Sequence, residues 1–387
     1  MRNRWFALAV LFVIRLTMAF QFQSVAAVAP LLDQKFGVSL ADIGWLIGLY
    51  FAPGLFLALP GGAIGKRFGD KPTMIASLLL MLIGELAMAL SSSWTIQIAG
   101  RLVSGAGGVM FNVQMTKMIA DWFAGQEIAT AMAIFVNSWP AGIALSLVFL
   151  PLIATASGVE AVHLTVAASI ALGLVFFATA YPSPPKITAA AAGSSWPDRN
   201  TLVALIAAGL IWGLFNVGFA MIFSFGPSML DERGWSISAA GSVISIVLWL
   251  AVISVPLGGI LADRTGRPDL VLAGGCIIFA ALMVVLPRTD AVVSVVTAIG
   301  LLSGLPVGPI MSLPARILKP ETRAIGMGIF YTLYYGTMML GPAVAGALAQ
   351  STGHAAAAID FGTVVILACP LLLWAFNRLP EAQPKIA

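Results

Sequence analysis

Long apolar stretches separated by short polar breaks fill the chain from end to end. Twelve of them, roughly 5–30, 40–65, 73–91, 95–120, 127–156, 160–182, 200–229, 237–262, 268–287, 291–315, 323–350 and 356–378, are near or above the ~20 residues that a helix needs to cross a bilayer. The pattern predicts an all-α polytopic membrane protein. The longest break, 183–199, holds Pro184-Pro185, an alanine run from Ala189 to Ala192 and Gly193-Ser194-Ser195. Such a composition predicts a flexible linker. The expected organisation is therefore a six-helix bundle over 1–182, a cytoplasmic linker over 183–199 and a second six-helix bundle over 200–387.

Composition agrees with that reading and narrows it. The chain is 60% hydrophobic and 9% charged, against about 25% charged in ordinary soluble domains. A soluble enzyme, a nucleic-acid binder and a disordered scaffold are excluded. The net charge of +4 is a matter of placement. With both termini inside, fifteen lysines and arginines fall in cytoplasmic segments and three, Lys35, Arg233 and Arg288, in outer loops, as the positive-inside rule requires. Only Arg15 and Arg101 remain within the membrane. The Met1-Arg2-Asn3-Arg4 start resembles a signal peptide, but Arg15 breaks its apolar core and Pro30 would follow the Ala27-Val28-Ala29 cut. The expectation is a retained first helix. Cys276 and Cys369 lie in apolar runs and read as buried thiols.

The two halves align at an offset of 197 residues: Ile14 on Ile211, Phe22 on Phe219, Pro30 on Pro227, Gly37 on Gly234, Ser39 on Ser236, Gly44 on Gly241, Gly62 on Gly259 and Gly69 on Gly266. Two parallel six-helix repeats are an architecture of alternating-access carriers, with the solute bound near the midplane. Gly259-Ile260-Leu261-Ala262-Asp263-Arg264-Thr265-Gly266-Arg267 resembles the loop signature of the major facilitator superfamily. The first-half copy keeps its glycines and Arg67 but has Lys66 in place of the family's aspartate and Asp70 in place of a base. Arg101-x-x-x-Gly105-x-Gly107-Gly108, Asp121-Trp122-Phe123 and Leu340-Gly341-Pro342 also fit the family. The resemblance implies the major facilitator fold, twelve transmembrane helices in two pseudo-symmetric bundles. Among its branches, bacterial cyanate, nitrate/nitrite and small-anion permeases look most similar.

The resemblance implies a gate at the cytoplasmic loops, built from Lys66, Arg67, Asp263, Arg264, Arg267 and Glu321. An aspartate stabilises the positive end of an opposing helix, so Asp263 is the expected latch on the helix starting near Gln126-Glu127. Lys66 cannot cap that way. It either pairs with Glu321 in a charge-swapped latch or serves only as a positive-inside residue.

Charges within the bilayer cost about 2.5–3.5 kcal/mol each on insertion scales and mark function. Glu85 and Arg101 lie eight residues either side of position 93, at similar depth in adjacent helices. They are expected to form an ion pair, either a brace or a protonation switch; Asp360 is a further candidate for coupling. Arg15 has no acid on its own helix and shares a face with Phe22 and Gln23, whereas Gln21 points elsewhere. An unpaired guanidinium suits a planar anion; the alternatives are snorkelling or pairing with Asp360 or Glu85. The family arrangement sends the first, fourth, seventh and tenth helices to the central cavity. Trp212, Asn216 and Phe219, with Phe215 and Phe223, stripe the seventh; Tyr331, Tyr334 and Tyr335 share a side of the eleventh. Asn112 and Asn137 either touch substrate or bond neighbouring helices. His163 and His354 fall at outer helix ends and suggest neither relay nor metal site.

The expectation is a carrier, not an enzyme, that moves a small, carboxylate-like or inorganic anion across a bacterial inner membrane by alternating access. The alternative is a proton-driven efflux pump for hydrophobic compounds, with a transporter-like receptor or membrane enzyme as a third class. No cofactor is expected. The partners are the solute, the lipid bilayer and, as a candidate coupling ion, the proton; the expected state is a monomer.

Overall fold

The computed structural model describes residues 2–123, 127–182, 195–319 and 321–380; residues 183–194 of the expected linker lie outside them. Apolar periodicity yields helices throughout, and the breaks fall at proline and glycine. In the first half these are α1 (Arg2–Ala27), α2 (Ala29–Phe36), α3 (Leu40–Leu49), α4 (Gly54–Leu57), α5 (Gly61–Phe68), α6 (Asp70–Ala89), α7 (Trp94–Trp122) and α8 (Ile128–Ala180). The second half contributes α9 (Arg199–Glu232), α10 (Ile237–Thr265), α11 (Pro268–Val285), α12 (Val292–Leu302), α13 (Val307–Ile317), α14 (Arg323–Thr352) and α15 (Ala356–Phe376).

Nine helices among the described residues are long and apolar enough to cross a membrane. One of these stretches, Thr130–Ala180, has 51 residues and would rise about 75 Å if straight, far beyond a core of about 30 Å. It doubles back at Gly158, whose φ of 83° is open to glycine and strained for other residues. The fifth and sixth predicted spans are therefore the two arms of α8. Adding α7 and α14 completes the twelve spans. The second span is broken into α3, α4 and α5, and the tenth into α12 and α13.

The repeat is visible as matched punctuation. Gly37 and Gly234 take φ of 62° and 83°, and Gly69 and Gly266 take 87° and 63°. Ser39 caps α3 through the Asp42 N–H, and Ser236 caps α10 through that of Ala239. An ion pair recurs as well: Lys117 Nζ lies 2.9 Å from Asp70, and Arg316 lies 2.8 Å from Asp269. Each ties the first turn of a bundle's third helix to the end of its fourth.

Within the halves, α1 packs on α8, α6 on α7, and α9 on α14 and α15; across them, α3 packs on α14 and α8 on α10. An even number of crossings puts both chain ends on one face, here the terminal face. The halves meet closely on the opposite face, the outer one if the termini are cytoplasmic as expected. A Cβ on Gly44 would overlap the Pro342 carbonyl oxygen, one on Gly48 that of Met339, and one on Gly241 that of Leu147. These glycines let backbones touch, as small residues do between membrane helices.

Candidate functional site

Pro140 lies inside α8. It has no N–H, so the carbonyl four residues earlier, that of Val136, loses its helical partner. Arg15 of α1 reaches this segment. Its Nη1 donates to the Phe135 carbonyl at 2.9 Å, with the Val136 carbonyl and Ser138 Oγ each at 3.5 Å. Its Nη2 donates to Asn112 Oδ1 of α7 at 3.1 Å, and Cζ sits 4.2 Å from the Phe135 ring centre. Arg15 is 9% exposed, and its Nε has no partner. No carboxylate lies within ion-pair distance of it among the described residues, so the alternative of a pairing with Asp360 or Glu85 is not the one observed. The titratable side chains bearing on it are the phenols of Tyr331, Tyr334 and Tyr335 from the opposite half.

Asn112 links the halves by donating from Nδ2 to the Tyr335 hydroxyl at 3.3 Å. Tyr334 stacks on Trp212 at 6.0 Å, Trp212 on Phe215 at 6.4 Å, and Phe215 on Phe219 at 6.5 Å. Trp212 Nε1 is a buried donor with no partner. Arg15, Asn112, Trp212, Tyr331 and Tyr334 therefore gather as expected, joined by Phe135, Ser138 and Trp139, which the sequence pattern did not single out.

Other candidates are placed differently. Gln23 is fully buried and donates to the Phe223 carbonyl of α9 at 2.7 Å, so it ties the outer contact. Phe22 is 1% exposed and packs among Tyr50, Phe51 and Trp139. Asn216 Nδ2 donates to its own helix at the Trp212 carbonyl. Asn137 reaches the Val252 carbonyl of α10 at 3.4 Å, a bond between helices.

The expected Glu85–Arg101 ion pair is replaced by a bridged arrangement. Both are fully buried, but Arg101 donates to the backbone carbonyls of Leu46, Gln21 and Phe22 and lies 4.7 Å from the Tyr50 ring centre. Glu85 instead accepts from Gln21 Nε2 at 2.9 Å and faces His163 Nδ1 at 2.8 Å. His163 is 1% exposed; it turns inward because the arm of α8 after Gly158 packs on α6. Asp360 pairs with Arg288 in an exposed bidentate bridge at 2.8 and 2.9 Å, which removes it from the membrane interior.

On the terminal face, Arg67, Asp263, Arg264 and Arg267 are exposed. Asp263 makes no hydrogen bond or ion pair with another described residue, and the expected latch target at Gln126 lies outside the described residues. Glu127, just before α8, takes Arg4 as partner at 2.7 Å. The Lys66 side chain lies outside the described residues, and Gln126 with it. Glu321 is exposed, and its carbonyl accepts from the Ser195 N–H at 3.1 Å. Sequence reasoning also missed the Lys117 pairs to Asp70 and Asp121; the clue was the swapped Asp70. A separate apolar fissure of about 340 Å³, lined by Leu55, Leu214, Leu333, Leu340 and Phe361 among others, contains no charged residue.

Known proteins share this architecture. The chain aligns at 25% identity over 366 residues with the probable sulfoacetate transporter SauU of Cupriavidus necator, covering 85% of this chain and 84% of that one. It aligns at 24% over 352 residues with YddS of Bacillus subtilis, an uncharacterized MFS-type transporter, covering 84% and 80%. A bacterial homologue of the human lysosomal transporter Spinster, solved inward-facing and unoccupied, superposes with a TM-score of 0.75 at 16% identity over 100% of this chain and 99% of that one. The family profile described as Major Facilitator Superfamily matches residues 11–336 and 213–387. With its helices, repeats and loop signatures, the chain belongs to the Major Facilitator Superfamily.

Proposed function

We propose that this transporter carries a small organic anion, with a carboxylate or similar planar acid group, across a bacterial inner membrane by alternating access, with both termini cytoplasmic. One observation carries the reading: the guanidinium of Arg15 is enclosed between the halves, held by neutral acceptors, and faced by phenols, with no acid beside it among the described residues. A buried cation without a counter-ion is costly, and a bound anion supplies one. Arg15 Nε and Trp212 Nε1 are buried donors without acceptors, which supports an acceptor-rich solute. Asn112, Tyr331 and Tyr334 complete its polar surround, and the aromatic stack of α9 receives its apolar part.

The tight outer contact supports a conformation open to the terminal face, the cytoplasmic one on this reading. In the opposite state Asp263 latches the start of α8, with Arg67, Arg264 and Arg267 beside it. The similarity to the probable sulfoacetate transporter SauU and the resemblance of the loop motifs to small-anion permeases support the same class.

The test is a thermal-stability screen of the purified protein against monocarboxylates, sulfonates and inorganic anions, followed by uptake in proteoliposomes. Wild-type protein is expected to be stabilised by at least one anion class, and Arg15→Ala to lose both stabilisation and uptake while staying folded. Unchanged transport by Arg15→Ala would overturn the anion assignment. The rings along α9 favour a second reading, export of hydrophobic compounds; stabilisation by lipophilic cations and not by anions would select it.

A further inference from the structure

Three ionisable side chains outside the Arg15 site, Glu85, Arg101 and His163, sit on three different helical segments, each no more than 1% exposed. Each costs free energy to bury in a membrane. A purely structural brace would place the Arg101 fork on the Glu85 carboxylate, the strongest pairing available. Instead Arg101 satisfies itself on three carbonyls, and Glu85 receives an imidazole. That group changes charge between about pH 5 and 8 and both donates and accepts protons.

The imidazole is incompletely used. Nδ1 lies against Glu85 Oε1 at 2.8 Å, whereas Nε2 is buried with no partner. When Nδ1–H donates to the carboxylate, Nε2 carries a bare lone pair, and one further proton fits the pair. The other groups facing it are few. Arg101 bears on Glu85 from α7, and so does Tyr50 from the end of α3. Glu160, near the start of the same arm of α8, bears on His163 while hydrogen-bonded to Lys35. Ser104 of α7 reaches the pair through Gln21.

Gln21 connects this pair to the first helix. Its Nε2 donates to Glu85 Oε2, to the Met81 carbonyl at 2.9 Å and to Ser104 Oγ at 3.0 Å. Its own carbonyl accepts from Arg101 at 3.1 Å. Arg15 lies six residues earlier on the same helix, about 9 Å along the axis.

We propose that Glu85 and His163 form a proton-binding site, distinct from the Arg15 site, whose occupancy is coupled through Gln21 to the position of α1. The step is a proton transfer alone. A hydronium ion from the outer solvent gives up H⁺ as the outer contact opens, breaking one O–H bond and leaving water; the new bond is N–H on His163 Nε2 or O–H on Glu85, and no electrons are exchanged. A proton on Nε2 cancels the net charge of the pair, and a proton on the carboxylate turns the charge-assisted Gln21 bond into a neutral one of roughly half the strength; either loosens the grip of α6 on α1 through Gln21. This proposal rests on the reading of the protein as an alternating-access transporter, but not on the anion.

The chain has two histidines, so His354→Asn leaves His163 as the single imidazole signal. In lipid nanodiscs its ¹⁵N spectrum is expected to report Nδ1–H alone on the unprotonated pair and a change at the imidazole when the site takes up a proton on acidification. Spin labels on cysteines introduced at Gln34 and Asp290, exposed on the outer sides of the two halves, are expected to change separation over the same pH interval. Glu85→Gln and His163→Gln should each abolish that change while keeping melting temperatures near wild type. A wild-type-like response in Glu85→Gln, an unresponsive wild-type protein, or a His163 spectrum constant with pH would overturn the proposal. Should the variants fail to fold, the His354→Asn spectrum decides alone. Arg15→Ala is expected to keep the pH response, so failure of the anion assignment and failure of the proton site give different results.

Discussion

The two halves share their punctuation and differ in their chemistry. Helix caps at Ser39 and Ser236, left-handed glycines at Gly37 and Gly234, and the ion pairs Asp70–Lys117 and Asp269–Arg316 occur in both. The buried acids and bases Arg15, Glu85, Arg101 and His163 all belong to the first half; among the described residues the second half buries none. It presents Trp212, Phe215 and Phe219 instead, and Trp212 is the repeat mate of Arg15. Features that fix the ends of helices constrain any six-helix unit and survive duplication. A charge inside the membrane is costly wherever it stands and persists only where it is used. On the proposed function the difference separates scaffold from function: one half supplies charge, and the other supplies the wall that closes over it.

The largest effect should come from removing that charge. Hydrogen bonds to charged groups are worth about 1.5–3 kcal/mol, so Arg15→Ala is expected to weaken anion binding by roughly 10- to 100-fold or more. Isothermal titration or thermal shift with the best-stabilising anion checks it. Arg15→Lys should recover only part, because an ammonium lacks the planar fork that spans Asn112 and the Phe135 carbonyl. If lysine restores full affinity, the site reads charge alone, and the contrast between the halves reduces to electrostatics.

The next effect concerns the contact where the halves meet. Side chains at Gly48 and Gly241 would both overlap a carbonyl oxygen of the other half, and backbone cannot yield as a side-chain end can. Gly48→Val is expected to hold the outer face open and reduce uptake at least tenfold, on the order of the 1–3 kcal/mol of an overpacked contact. Distances between labels on the two halves would report the shift. Gly241→Val should act similarly. If only one of them opens the outer face, the two contacts are not equivalent hinges.

Much of this was legible in the chain, for identifiable reasons. Apolar runs mark the spans because lipid demands them, and Arg15 stood out because charge is rare there. Helical angle correctly separated Gln21 from the Arg15 face, and Gln21 indeed points to Glu85. Depth arithmetic put Glu85 and Arg101 at one level but could not name their partners. His163 reaches Glu85 because α8 reverses at Gly158 and packs its second arm on α6, a relation between segments 78 residues apart. The acceptors of Arg15 were hidden for another reason. They are backbone carbonyls near the Pro140 defect, and side-chain identity does not announce a free carbonyl. Pro140 was the available clue, since a proline in a membrane helix always frees an acceptor one turn earlier.

A smaller effect is expected on the aromatic side. Trp212 stacks on both Tyr334 and Phe215, and such contacts are worth about 0.5–1.5 kcal/mol beyond area burial. Trp212→Ala should weaken binding of an anion with a ring or alkyl body by about 3- to 10-fold. Its effect on an inorganic anion of the same charge should be much smaller. Equal losses for both would mean that the second half positions Arg15 and does not contact the solute body.

The smallest effect tests the comparison from its quiet end. Asp360 and Arg288 form the second half's best-aligned ion pair, bidentate at 2.8 and 2.9 Å, yet the side chains are 41% and 54% exposed. Water already solvates both groups, so the pair gains little Coulomb energy and carries the entropy cost of ordering two side chains. Exposed pairs contribute about 0–1 kcal/mol. Asp360→Asn is therefore expected to leave uptake within about twofold of wild type and to shift the melting temperature by only a few degrees, with the loss shrinking further as salt screens the pair. Asp70→Asn removes an acid that is 15% exposed and bonded to Lys117, and should cost more in the same assay because Lys117 then keeps a single carboxylate, Asp121. If Asp360→Asn proves the more damaging of the two, an intramembrane or coupling role for Asp360 returns, and buried charge is no longer confined to the first half.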